Sequence, residues 1–361
     1  MRKDAAAAIR DEIRRDGPIP FARFMELALY GAGGYYDAPP VGPDGDFVTS
    51  PHVHPAFGMF VARALEPLGE EIGGDPLRLT EVGAGDGTLA GQLLSAMPDL
   101  TYTAVEVTAG AREALATIDG LTVGSDLGPS VDVVLAHELI DNLPFRLVRG
   151  QEEIRVDAEG DAFVERAVPL DDDLLAIIGD QLEDELVVPT AALALVERIA
   201  AVLERGYALL IDYGDEGGGG PVHGYRAHQP IDDVLSHPGG VDITAGVDFG
   251  WIAEHARANG LTAFPLQRQG DVLRALGFEA WLREELATQQ EQLAAGRGLE
   301  AVRTWSARSR ATMLVDPSSL GQMRWLLLAT DGLPAPSWLN SDHAATDRST
   351  DRPTVKREPQ N

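Results

Sequence analysis

The 361-residue chain contains no cysteine. That excludes disulfides, thiolate metal sites and cysteine nucleophiles together. Its only lysines are Lys3 and Lys356, so nearly every positive charge is an arginine. Positive charge itself is scarce: 29 Lys and Arg stand against 57 Asp and Glu, a net charge of −28. Phosphate contacts need a basic face, so this balance argues against a nucleic-acid binder. It equally disfavours docking on an anionic membrane surface. It leaves room for a basic partner, which a strongly acidic field steers in. Long apolar runs are missing too, and none approaches the roughly 18 residues of a membrane span. The opening MRKDAAAAIRDEIRRDG reads as an amphipathic charged helix and not as a secretory signal. The expectation is a cytoplasmic protein without membrane insertion.

What the chain has in quantity is alternation of strand and helix patterns. Residues 77–82 form a short apolar run ending at Gly83, and 89–97 read as helix. Residues 102–107 read as strand and 112–118 as helix. The run VDVVLA at 131–136 is β-branched and uninterrupted, as a buried parallel strand should be. An alanine- and leucine-rich helix at 191–204 precedes the strand at 207–213. This alternation predicts a doubly wound α/β sheet. Residues 261–266 and 323–329 are later strand candidates, although MRWLLLAT also fits a helix. Residues 145–168 read as a hairpin, because FRLV, EIRV and AFVE are separated by Arg-Gly and Ala-Glu-Gly-Asp turns. Residues 271–310 are rich in Ala, Leu, Glu, Gln and Arg and read as helical. This predicts an N-terminal helical part (1–75), a core (76–338) interrupted near 145–190 and 215–310, and a polar, disordered tail (339–361).

The informative segment is LTEVGAGDGTLAGQLL, residues 79–94. A strand runs into Gly83, Gly85 and Gly87, and a helix follows. Glycines there let the chain turn sharply and let a ligand approach the main chain. The helix N-terminus behind them presents unpaired amides. A dinucleotide fingerprint needs G-x-G-x-x-G/A, and Thr88 stands at its sixth position, so that pattern fails. Gly-x-Gly-x-Gly with Glu81 two residues before it is similar to motif I of class I S-adenosylmethionine methyltransferases. That resemblance implies an acid after the second strand to hold the ribose hydroxyls, and Glu106 stands there. A carboxylate suits two hydroxyl donors. Asp126, after LTVGSD, is the candidate for the adenine amino group.

The strand at 131–136 leads into HELIDNLP. Ligands in such sheets sit outside the carboxyl ends of strands, which puts Glu138 and Asp141 where the reacting group should lie. At i,i+3 they share a face if the segment turns helically. The eight histidines show no spacing typical of zinc, so no metal is expected. Ser50 is not in a G-x-S-x-G elbow, and a hydrolase has no support.

Several separated segments, in order from about residue 17 to 330, resemble the MidA family, the bacterial relatives of the mitochondrial complex I assembly factor methyltransferase. They are GPIPFARFMELALYGAGGYY, GDFVTSPHVHPAFG, TEVGAGDGTLAGQLL, HELIDNLPFRLV and GYALLIDYG, with VHGYRAHQPIDDVLSHPGGVDITAGVDF and RQGDVLRALGF after them. The resemblance implies a class I methyltransferase fold: a seven-stranded, mostly parallel, Rossmann-like sheet with helices on both faces. A family-specific N-terminal region, 1–75, then lies over the cofactor. Implied cofactor contacts are Glu81, Gly83, Gly85, Gly87 and Glu106, with Gly45, Asp46, Thr49 and Ser50 as loop residues near it. The implied cofactor is S-adenosyl-L-methionine. The implied reaction is formation of symmetric dimethylarginine on a protein, in relatives a respiratory-chain subunit. Two positions depart from the family pattern, His52 where Glu is usual and His137 where Asn is usual.

Methyl transfer from a sulfonium needs positioning and a dry site rather than a metal. An arginine acceptor keeps its charge, so carboxylates must orient it. Glu138 and Asp141 are the candidates through bidentate pairing. Tyr30, Tyr35 and Tyr36 are candidate walls of the acceptor channel, since an aromatic face attracts guanidinium. Asp212 and Tyr213, ending the next strand, are candidates for the same border. Two other readings stay open on the residues: methylation of a small molecule or another side chain, and a non-catalytic assembly factor that keeps the fold.

Overall fold

Six of the apolar runs, with Leu121–Gly124 added, become strands of one sheet. They are β1 (Arg78–Val82), β2 (Thr101–Val105), β3 (Leu121–Gly124), β4 (Val133–His137), β5 (Tyr207–Asp212), β6 (Leu261–Ala263) and β7 (Arg324–Thr330). The computed structural model describes residues 4–37, 48–73, 76–129, 131–179, 185–218, 220–226 and 229–339. Gly45, Asp46 and the tail from residue 340 onward lie outside the described residues.

The strand order is β6-β7-β5-β4-β1-β2-β3. The first five strands are parallel, and β7 runs antiparallel to both β5 and β6. A two-residue strand, Gln267–Arg268, joins the same edge of β7 and makes the count eight where seven were expected. Its cause is local. Pro265 has no N–H to give, so the edge segment breaks into two short strands on either side of it. The ambiguous MRWLLLAT is strand β7. It is flanked on both edges and covered on both faces, and that environment calls for a continuous apolar run.

Side chains alternate between two cores, as period-2 geometry requires. Leu79, Tyr102, Leu135, Leu209 and Leu327 face one side, packed under α1 (Ala56–Ile72) and α2 (Thr88–Ala96). Helix α1 supplies Phe57, Phe60, Val61, Ala64, Leu65 and Leu68, a stripe at i, i+3, i+4, i+7, i+8 and i+11. Val134, Ala136, Leu210 and Leu326 face the other side, under α3 (Thr190–Val202) and α4 (Phe249–Ala258).

The chain winds outward from β1 to β3, then returns to the middle and winds the other way through β4 and β5. Strands β1 and β4 are therefore neighbours at the reversal, and a crevice opens beyond their carboxyl ends.

That crevice is roofed by two parts of the chain far apart in sequence. Ile19–Pro20 pairs antiparallel with Val156 and Arg155 of the inserted strand Glu152–Glu159. Arg146–Arg149, Ala162–Pro169 and Leu186–Val188 complete a five-stranded sheet. Ile9, Phe21, Phe24, Phe145, Leu147, Val156 and Ile243 share one apolar cluster, with Phe21 and Phe145 stacked at 5.5 Å. The N-terminal helices thus form one layer with the insertion. The expected hairpin is a three-stranded meander whose buried Glu153 is held between Arg146 and Arg155.

Candidate active site

Between β1 and α2 the three loop glycines all have left-handed backbones, with φ of 73° at Gly83, 57° at Gly85 and 80° at Gly87. Their surroundings differ. A Cβ on Gly83 would meet Leu139 Cδ1 at 2.7 Å, and one on Gly87 would meet Ile118 Cδ1 at 2.4 Å. At Gly85 nothing lies within 4 Å. That glycine borders a cavity of about 890 Å³, lined also by Glu81, Glu106, His137 and Glu138. The volume lies at the upper end of the ~300–1,000 Å³ usual for ligand sites.

Glu106 follows β2. Its Oε1 accepts from the Val107 and Thr108 N–H groups at 2.7 and 3.1 Å, and Oε2 accepts from Gly85 N–H at 3.3 Å. The carboxylate is held at the cavity wall by backbone, without an arginine or lysine partner among the described residues. Glu81 lies in β1 beneath it and accepts from the Tyr102 hydroxyl; burial pushes its pKa up to about 7. Thr108 lines the cavity, and its hydroxyl is buried with no protein partner. A hydroxyl-rich, partly cationic ligand approaching the open Gly85 backbone suits these carboxylate acceptors and the free Thr108 hydroxyl.

The flanking loop residues are placed unequally. Thr49 lines the cavity, while Ser50 is fully buried behind it. Asp126 is turned away: its side chain is 73% exposed and paired with Arg198, and Ser125 lines the cavity beside it.

At the other end stands Glu138, with φ of 49°, the one non-glycine residue with positive φ among those described. Such a backbone is strained and persists only where its surroundings over-determine it. The Glu138 N–H donates to Ile211 O of β5 at 2.8 Å, and its Oε1 accepts from Ser50 N–H at 3.0 Å. Burial, with the Asp141 charge adding to it, pushes the Glu138 pKa up to about 8. His137 Nε2 lies 3.2 Å from Glu138 Oε1 but has no hydrogen-bond partner. Burial drives this imidazole down to about 3, so the contact is not an ion pair.

Asp141 accepts from Thr244 Oγ1 at 2.9 Å through Oδ2, and its Oδ1 is buried without a partner. Burial raises its pKa to about 6. It lies under the cavity floor, not in the lining. Asp212 is fully buried and also off the lining. Its Oδ2 accepts from the N–H groups of Leu139, Ile140 and Asp141, and Oδ1 from Tyr213 N–H. It therefore shapes the turn that carries Glu138 and Asp141. Tyr213 packs against the sheet core and does not line the cavity.

Tyr30 and Tyr36 do line it, stacked at 5.4 Å, with Tyr35 edge-on to Tyr36 outside the lining. Tyr30 donates to Asn142 O at 3.0 Å and Tyr36 to Asp242 Oδ1 at 2.9 Å. Asn142 Nδ2 donates to the same Asp242 oxygen at 3.0 Å. Burial raises Asp242 to about 7. Asp242 and Asn142 were not singled out in the sequence. Asp242 opens the short strand Asp242–Thr244, 206 residues from Tyr36, and only the fold joins them.

Residues 57–266, more than half of the chain, match the family model described as "Putative S-adenosyl-L-methionine-dependent methyltransferase". The chain belongs to this family. It is 29% identical to the mitochondrial protein arginine methyltransferase NDUFAF7 homolog of Drosophila melanogaster, over 88% of this chain and 82% of that protein. To the human protein arginine methyltransferase NDUFAF7 it is 26% identical, over 86% and 80%. A superfamily member from Burkholderia thailandensis, crystallised with S-adenosyl-homocysteine, superposes with a TM-score of 0.79 at 27% identity, covering 94% of each chain. The protein is thus an S-adenosyl-L-methionine-dependent methyltransferase with the class I sheet that the glycine motif implied. The open Gly85, the backbone-held Glu106 and the unpartnered Thr108 hydroxyl fit that cofactor.

Proposed function

We propose that this methyltransferase modifies arginine side chains of a protein, giving symmetric dimethylarginine. The observation that carries the reading is a group of buried carboxylates without a counter-charge. Glu138, Asp141 and Asp242 have no arginine or lysine partner among the described residues, and burial raises the pKa of each. Of the three only Glu138 lines the cavity, so an incoming cation pairs with it, while Asp141 and Asp242 attract the cation from behind the wall. Stacked Tyr30 and Tyr36 offer that cation an aromatic wall. The names of the relatives, protein arginine methyltransferases, specify a guanidinium among possible cations. A respiratory-chain subunit as acceptor protein is supported only by the family resemblance.

Bound S-adenosylmethionine supplies a methyl group on a positively charged sulfur. The protein's part is positional. Glu106 and the Gly85 backbone hold one end of the cavity. Glu138 pairs with the guanidinium and aims one nitrogen inward; as that nitrogen gains a carbon it sheds a proton, and Glu138 is placed to accept it. Asp212 and Ser50 keep Glu138 in its strained conformation. Leu139, Leu143 and Leu195 give the cavity an apolar lining.

The test is incubation of purified protein with methyl-labelled cofactor and host lysate, then acid hydrolysis of the labelled protein. Label in symmetric dimethylarginine is the expected result. Label in methyl-lysine, or in small molecules alone, overturns the arginine reading. Calorimetric titration separates the non-catalytic alternative, since folded protein that binds no cofactor has no transferase function.

A further inference from the structure

The short helix Ser50–Val53 lies between the two ends of the site and is fastened to both. On the cofactor side, His52 Nε2 is 2.9 Å from Asp86 Oδ2 and 3.1 Å from Thr88 Oγ1. Asp86 belongs to the glycine loop, and its carboxylate also accepts from the Thr88 N–H and hydroxyl at 3.0 Å each. His52 Nδ1 is 2.8 Å from Thr49 Oγ1. A proton on Nε2 satisfies the whole set, with the Thr49 hydroxyl donating to Nδ1. Gln92 of α2 adds a second fastening, donating to Pro51 O at 2.8 Å and accepting from Gly58 N–H at 3.0 Å. On the acceptor side, Ser50 N–H donates to Glu138 at 3.0 Å. His52 is almost fully buried and lines the cavity with Thr49, Asp86 and Thr88.

We propose that His52 is a positioning residue that ties the cofactor's glycine loop to the segment presenting Ser50 N–H to Glu138, so that the two halves of the site are set by one side chain. The Asp86 contact decides this. Burial raises the Asp86 carboxyl, but the hydrogen bonds from His52 and Thr88 outweigh it and hold the group below the usual carboxylate range. His52 therefore works as a donor to a charged partner, a strong class of hydrogen bond. A residue there without a donor leaves Asp86 short of a partner and frees the segment that carries Ser50. The acceptor half of the inference rests on Glu138 holding the acceptor; the cofactor half does not.

The experiment compares the wild type with His52→Ala, His52→Gln and Thr49→Val. Affinity for S-adenosylhomocysteine is measured by calorimetry, and kcat/KM for an arginine peptide is followed against pH. His52→Ala is expected to weaken S-adenosylhomocysteine binding about tenfold or more, the scale of one charge-assisted bond. It is also expected to move the acid limb of kcat/KM upward, because Glu138 loses the Ser50 N–H that favours its charged form. His52→Gln keeps a donor for Asp86 and is expected to recover most of the affinity. Thr49→Val severs only the Nδ1 bond and covers the case in which His52→Ala does not fold; it should show both effects in smaller measure. Wild-type affinity and an unmoved acid limb in a folded His52→Ala overturn the proposal. So does an affinity loss that His52→Gln fails to recover. If the wild type modifies no arginine peptide, the affinity arm still tests the latch, and the failure belongs to the acceptor reading.

Discussion

Glu106 and Glu138 are both buried acids at the cavity wall, yet their surroundings give them different work. Glu106 accepts three backbone N–H groups. Glu138 accepts one, and burial raises it to about 8. Glu106→Ala should therefore lose cofactor affinity, by about ten- to a hundredfold on the scale of one charge-assisted hydrogen bond, while the protein stays folded. Calorimetry with S-adenosylhomocysteine and a thermal melt check both halves. Glu138→Ala should keep cofactor affinity and lose turnover. In the wild type, kcat/KM for a cationic peptide should rise with pH to a midpoint near the raised pKa of about 8, since the carboxylate form pairs with the guanidinium. A profile flat from pH 6 to 9 would remove Glu138 from that role.

One element, the turn Ile140–Asn142 beyond β4, carries much of the site. It is too short to stabilise itself, and Asp212 at the end of β5 gathers the N–H groups of Ile140, Asp141 and the preceding Leu139 on one oxygen. Removing that acceptor leaves buried donors unpaired, so Asp212→Ala should cost roughly 3 kcal/mol or more. Denaturant unfolding measures the loss, and turnover should fall with it because Asp141 sits on that turn and Glu138 just before it. The glycine loop is an element of a different kind, whose demands are steric. Gly87→Ala combines a φ of 80° with a Cβ 2.4 Å from Ile118. It should lower the melting temperature even without ligand, whereas Gly85→Ala, strained by its φ of 57° but with free space around it, should cost less stability and weaken cofactor affinity as well.

Over the whole molecule, buried carboxyls with raised pKa set the pH dependence of stability. Glu81 near 7, Glu138 near 8, Asp141 near 6 and Asp242 near 7 all lie above their ordinary values. A group raised in the folded state stabilises it while protonated, and that contribution is lost as pH climbs through the folded pKa. Between about pH 4 and pH 8 the folded form thus holds more protons than the unfolded chain. Stability of the ligand-free protein should fall across that window, seen as a melting temperature higher at pH 5.5 than at pH 8.5. A rise over the same range would mean that these groups are ionised in the fold. The net charge of −28 adds self-repulsion in the same direction, and salt should relieve it.

The sequence by itself determined the sheet's parallel core, the glycine loop and the acids at two strand ends. Each depends on residues adjacent in the chain: a strand, a turn needing positive φ, a helix start. VVLAH must be buried on both faces wherever it lies, and three glycines at alternate positions turn a strand into a helix in any such sheet. The tertiary structure alone decided which polar groups face the cavity. Asp126 follows a strand as Glu106 does, yet it pairs with Arg198 at the surface. Asp212 looked like part of the acceptor border and instead holds up the turn beneath it. Asp242 joined the site through Tyr36 and Asn142, and His52 through Asp86, 34 residues away. A side chain's partner across the fold depends on how strands are ordered and layers packed. Local pattern carries no record of that, because the same acid after the same strand meets either solvent or a buried hydroxyl according to what the rest of the chain places there.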